Sequence, residues 1–186
     1  RQMCIRDSCY VVVFRSVGRQ EYATKDVRHI LFKVDESALD SEAETYEADL
    51  QAAKDAAKAA AEDALAQWKA GEATEDSFAA LANELSTDAG SNTNGGLYTK
   101  IYKNQMVTEF NDWCFDASRQ SGDTGIVYGE SSNYKGYHVM YFVGDDVPYW
   151  QVQAENALRN ADTEAWLDGL LDSADVVQEA GMKHVG

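Results

Sequence analysis

No stretch of this sequence approaches the ~20 consecutive apolar residues that a helix needs to cross a bilayer. Cations are also scarce. Sixteen Lys and Arg stand against 32 Asp and Glu, leaving a net charge of −16 and a pI near 4.4. A nucleic-acid binder needs a basic footprint, and an anionic membrane surface repels so acidic a chain, so neither class fits. The partners to expect are basic, or are recognised through backbone and apolar contacts. Cysteine is limited to Cys4, Cys9 and Cys114, an odd number without metal-ligand spacing, which argues against a disulfide framework. Cys114 lies between Trp113 and Phe115 and reads as a small buried apolar residue. No charged-then-apolar leader opens the sequence. Its first residue is Arg1, so the chain is expected to be a fragment or processed form, with any signal or anchor upstream. No cofactor is expected.

What is present supports a real core: 45% apolar and 11% aromatic residues in 186, enough for one domain with extensions. Residues 1–8 match no element and read as a non-native leader. Residues 9–26 read as a strand (YVVVF, 10–14) and a connector. That strand echoes His138 to Phe142 (HVMYF), which makes 9–26 a candidate end of a preceding, truncated unit. Residues 27–34 (VRHILFKV) are a strand with Val27, His29, Leu31 and Lys33 on one face and Arg28, Ile30, Phe32 and Val34 on the other.

Ser41 and Glu44 have capping-box spacing, and a long helix is expected from there to about Ala70, where Gly71 ends it. Its apolar stripe reads Tyr46, Leu50, Ala53, Ala57, Ala60, Ala64, Trp68. Thr74 caps a second helix that buries Phe78, Leu81, Ala82 and Leu85. A polar loop over 86–96 precedes a short strand at 97–101. Thr108 is expected to cap a third helix carrying Phe110, Trp113, Cys114 and Ala117. Strands follow near 125–128 and 137–143, joined by a hairpin loop. An amphipathic helix over 150–171, with Trp150, Leu158, Trp166 and Leu170, is expected to pack on a segment outside this chain. This order describes an α+β domain with an antiparallel sheet and helices packed over it. The domain is placed at 27–144, with a helical extension over 145–186.

Local signals then line up along the domain. The opening strand carries His29; Phe78-x-x-Leu-Ala82 is followed by Ser86-Thr-Asp88 and Asn94-Gly-Gly-Leu97; Met106 stands four residues before Phe110; Gly136-Tyr-His-Val139 closes the series. In order and spacing this set resembles the parvulin-type peptidyl-prolyl cis/trans isomerases, and most closely the multidomain foldases that bacteria export. The resemblance implies a half-barrel of four antiparallel strands surrounded by helices, here with an elongated first helix. It implies non-covalent rotation about X-Pro bonds in unfolded or extended polypeptides, and an extracytoplasmic, cell-surface or membrane-anchored setting for the full-length protein. Carried over residue by residue, it assigns His29 and His138 as the paired central histidines and Asp88 as the loop acid beside them. Met106 and Phe110 become the proline pocket. The family usually reads Gly-Gly-Asp-Leu-Gly, whereas Gly96 here runs into Leu97-Tyr98, so either Leu97 or Tyr98 forms the pocket wall. A binding module without turnover is the competing reading. A phosphate-directed regulator is disfavoured, because the loop after the first strand carries Asp35, Glu36 and Asp40 rather than a basic cluster.

Overall fold

The computed structural model describes residues 2–5, 8–11, 18–37, 39–131 and 134–173. Among these described residues ten elements are formed: β1 (Gln2–Ile5), β2 (Ser8–Val11), β3 (Ala23–Lys33), α1 (Tyr46–Ala70), α2 (Glu75–Leu85), β4 (Leu97–Ile101), α3 (Thr108–Cys114), β5 (Thr124–Glu130), β6 (Lys135–Pro148) and α4 (Tyr149–Ser173). The first two pair with each other as an antiparallel hairpin, so residues 2–5, expected to form no element, are a strand. The remainder of the strand expected at 10–14 lies outside the described residues.

The other four strands form an antiparallel sheet in the order β4-β3-β6-β5. Alternation along β3 decides what each face holds. Ile30 and Phe32 join Val139 and Tyr141 of β6 in a core with Ala61, Ala64 and Trp68 of α1 and Phe78, Leu81 and Ala82 of α2. Val27 points the other way, into a second core with Ile101, Phe110, Cys114, Met140 and Phe142. Helices α1 and α2 therefore cover one face, and α3 covers part of the other. The histidines stand on that second face, against Phe110 of α3.

Helix ends differ from expectation at the start of α1 and at both ends of α3. Ser41 and Glu44 form no capping box: α1 starts at Tyr46, and its N-cap residue Thr45 makes no side-chain cap bond. The preceding turn is organised by Asp40, whose carboxylate accepts from the Glu42 N–H at 3.0 Å and whose carbonyl accepts from the Ala43 N–H at 3.0 Å. Thr108 is the first helical residue of α3 rather than its cap, and the helix stops at Cys114, short of Ala117. Asp116 turns the chain there by accepting from the Ser118 N–H and hydroxyl. Gly71 ends α1 as expected, at φ −91°, and the left-handed residue is Ala73 (φ 52°). In the stripe of α1 the buried alanine is Ala61 rather than Ala60. Thr74 does cap α2, with Ser77 returning the bond.

Pro148, the only proline, ends β6, and α4 begins at the next residue. The root of α4 is fixed: Tyr149 and Trp150 donate backbone bonds to the carbonyls of Tyr22 and Gln20, and Tyr149 stacks between Tyr22 and Tyr102. Beyond the root, no residue of α4 is buried.

Candidate functional site

The register of β3 with β6 sets Leu31 opposite His138 and His29 opposite Met140. The two histidines are thus diagonal neighbours on the face that α3 partly covers, within reach of each other across one strand pair. Their rings stack with centroids 5.2 Å apart, and the Nδ1 atoms lie 3.0 Å from one another. Both are 3% exposed. Phe110 meets both rings edge-on, at 5.7 and 5.4 Å.

The loop between α2 and β4 brings in the acid. Asp88 Oδ2 lies 2.9 Å from His29 Nε2 and accepts from the hydroxyls of Ser91 (2.6 Å) and Tyr98 (3.0 Å). Its other oxygen accepts from the Gly90 N–H. The loop is pinned where Gly95 and Gly96 take φ of +74° and +68°. A side chain at Gly96 would collide with the His29 carbonyl, and one at Gly95 would stand 2.6 Å from Arg28 Nη1. The Gly96 carbonyl accepts the His29 N–H at 2.9 Å. The two glycines therefore hold the backbone of His29 itself, beyond making a turn.

The hydrogen bond from His29 holds the Asp88 carboxyl well below the usual carboxylate range, with Ser91, Gly90 and Tyr98 adding to it against the opposing effect of burial. Burial, and next to it His29, pushes His138 down to about 3, with the Asp88 charge opposing. Burial and the bond to Asp88 push Tyr98 up to about 12. With both rings neutral, an ionised Asp88, which only accepts, fixes the order of protons. His29 donates from Nε2 to Asp88, so its Nδ1 is an acceptor. His138 donates from Nδ1 to it, so its Nε2 accepts from the Tyr134 hydroxyl at 3.1 Å. The result is one continuous chain: Tyr134, His138, His29, Asp88.

This chain forms the polar side of a cleft of about 220 Å³. The apolar side is Leu31, Met106, Val107 and Phe110, and Lys33 completes the lining. Of the residues expected from sequence, His29, Asp88, Tyr98, Met106, Phe110 and His138 come together here; Leu97 does not line the cleft. Its backbone N–H and carbonyl are both engaged by the Asn94 side chain. Tyr98 is the wall.

The family model for the rotamase, PPIC-type PPIase domain, matches residues 29–144. The chain belongs to this family. The rotamase match opens on His29, within β3, and takes in the Asp88 loop, the cleft wall and His138. No curated protein matches the chain at a significant level. Among solved structures it is similar to the peptidylprolyl isomerase PrsA from Bacillus cereus, at 23% identity and a TM-score of 0.46, covering 87% of this chain and 54% of that one. It is also similar to a structure of the SurA-like chaperones PEB4 and the periplasmic protein Cj1289 of Campylobacter jejuni, at 22% identity and 0.42, covering 84% and 56%. The chain thus spans just over half the length of either.

Sequence reading missed several residues of the cleft and of its hydrogen-bond network. Leu31 and Lys33 were readable in principle, since alternation puts them on the His29 face. Ser91 and Tyr134 gave no signal: Ser91 depends on how its loop folds back to β3, far away in sequence, and Tyr134 on how the loop before β6 turns its hydroxyl toward His138, four residues on.

Proposed function

We propose that this domain catalyses cis/trans isomerisation of X-Pro bonds in extended or unfolded polypeptides, as a peptidyl-prolyl isomerase assisting folding. The observation that carries the reading is the juxtaposition of an apolar floor, Met106 and Phe110, with a saturated polar chain ending in an anionic Asp88. Rotation about the amide is opposed by a resonance barrier of roughly 18–20 kcal/mol. In the planar amide, resonance places negative charge on the carbonyl oxygen; twisting withdraws it and returns a lone pair to nitrogen. A fixed negative field near the oxygen disfavours the planar state more than the twisted one, and that difference lowers the barrier. Met106 and Phe110 would grip the proline ring, with Tyr98 as the side wall. Asp88, His29 and His138 supply the field and its orientation, and no covalent step is needed.

The net charge of −16 favours basic stretches of client chains. The resemblance to exported foldases supports an extracytoplasmic setting for the full-length protein.

A second reading, a chaperone that holds chains without turning them over, draws on the exposed apolar residues of α4. An isomerisation assay by exchange NMR on a short X-Pro peptide separates the two. The wild type should accelerate exchange and Phe110→Ala should lose at least about tenfold, alongside a stability cost of about 3–5 kcal/mol for the vacated ring. Binding of an unfolded client with no acceleration of any X-Pro peptide would favour the chaperone.

A further inference from the structure

The hydrogen-bond chain has two ends, and they are built differently. At the Asp88 end a single oxygen collects His29, Ser91 and Tyr98, so the loss of one donor leaves two. At the His138 end, among the described residues, the Tyr134 hydroxyl alone reaches Nε2, at 3.1 Å, with its ring edge-on to the imidazole at 5.7 Å. Room for that approach depends on Gly129, where a β-carbon would stand 3.0 Å from His138 Nε2 and 2.9 Å from Val107 Cγ2. A buried ring nitrogen with no donor is costly, so the tyrosine's bond bears on which tautomer His138 adopts.

We propose that Tyr134 is a positioning residue of this site: it fixes His138 as the Nδ1–H tautomer and, through it, the orientation of His29. With the proton on Nδ1, His138 donates to the lone pair of His29, and His29 is left donating to Asp88. Reversing His138 sets two lone pairs face to face across 3.0 Å and also forfeits the Tyr134 bond. The consequence for turnover rests on the isomerase reading above; the consequence for the histidines does not.

The test is nitrogen-15 NMR of the histidine side chains near pH 7, combined with peptide isomerisation kinetics, on wild type, Tyr134→Phe and Tyr98→Phe. In the wild type, His138 should carry its proton on Nδ1, with Nε2 resonating as a hydrogen-bonded acceptor. Tyr134→Phe should move Nε2 toward an unbonded acceptor, while Tyr98→Phe, whose hydroxyl bonds Asp88 and not His138, leaves that resonance in place. Turnover should fall about tenfold in kcat for Tyr134→Phe, with KM held within about twofold. A wild-type His138 protonated on Nε2, or an Nε2 resonance indifferent to Tyr134→Phe, overturns the proposal. So does an effect confined to KM, the mark of a peptide contact rather than of positioning. If the resonances behave as expected and the wild type turns over no X-Pro peptide, the role of Tyr134 stands and the isomerase reading falls.

Discussion

Helices α1 and α4 have the same length, 25 residues each, yet α1 buries Leu50, Ala57, Ala61, Ala64 and Trp68 and α4 buries nothing. The spacing in α1 repeats in steps of three, four and seven, which keeps one narrow stripe against the sheet. Most of that stripe is alanine, so the helix backbone lies close to β3 and β6, with Trp68 closing the end against Phe78 and Tyr141. In α4, Tyr149 and Trp150 at the root are half-buried, whereas Leu158 and then Trp166, Leu167, Leu170 and Leu171, crowded into the last turns, are exposed. A helix of good formers holds its own backbone bonds in either case; what differs is whether a regular stripe gives it a surface to join. The functional residues follow the same division, since every member of the cleft comes from the body of the domain.

The sharpest way to break the comparison is to disturb the body where it has no slack. Gly96→Ala forces a side chain into left-handed backbone and against the His29 carbonyl. Strain and overpacking together should cost about 2–5 kcal/mol, read as a lowered urea midpoint with an unchanged slope. A loss below about 0.5 kcal/mol would mean that the loop can leave His29 freely.

A smaller effect comes from acid. Unfolded His138 takes up a proton near its ordinary pKa of about 6.5, whereas the folded ring resists to about 3. Between those values the unfolded state binds more protons, so stability rises with pH in this window and is lost as pH falls through it. The slope from this one residue approaches 1.4 kcal/mol per pH unit, roughly, over pH 6 to 4. Asp88, held low in the fold, adds a loss in the same direction only below about pH 4. Denaturation midpoints at several pH values, for wild type and His138→Phe, check it: the variant should be less stable near pH 7 and flatter toward pH 5. Equal slopes would remove His138 as the source.

The smallest change is expected in α4. Leu158→Ser and Leu171→Ser, at side chains 67% and 71% exposed, should each shift stability by less than about 0.5 kcal/mol. A large drop in thermal midpoint would show that α4 packs on something in solution, and the contrast with α1 would then vanish.

Much of this arrangement was legible in the residues. The two faces of β3, the bounds of β4 at Leu97 and Ile101, the Thr74 cap and the meeting of His29, Asp88, His138, Met106 and Phe110 follow from alternation, capping chemistry and motif order. The pairing of the two histidines, implied by the family resemblance, also matches the strand register. Three kinds of detail were out of reach. Competing caps cannot be ranked locally: Asp40 wins over Ser41 because its carboxylate closes a turn first. A one-residue shift from Ala60 to Ala61 depends on the angle at which α1 crosses the sheet. The choice of Tyr98 over Leu97 depends on the path of a loop held by two left-handed glycines, which spacing alone does not give.

Strand β6 has a further consequence. It carries His138 near its start, runs 14 residues through the centre of the sheet and passes at Pro148 straight into α4. A helix of 25 residues extends about 37 Å. It therefore acts as a pointer: a tilt of β6 by about 5° displaces the far end of α4 by about 3 Å. A spin label or fluorophore near Trp166 would magnify, on an ångström scale, events in a cleft too small to hold the probe itself.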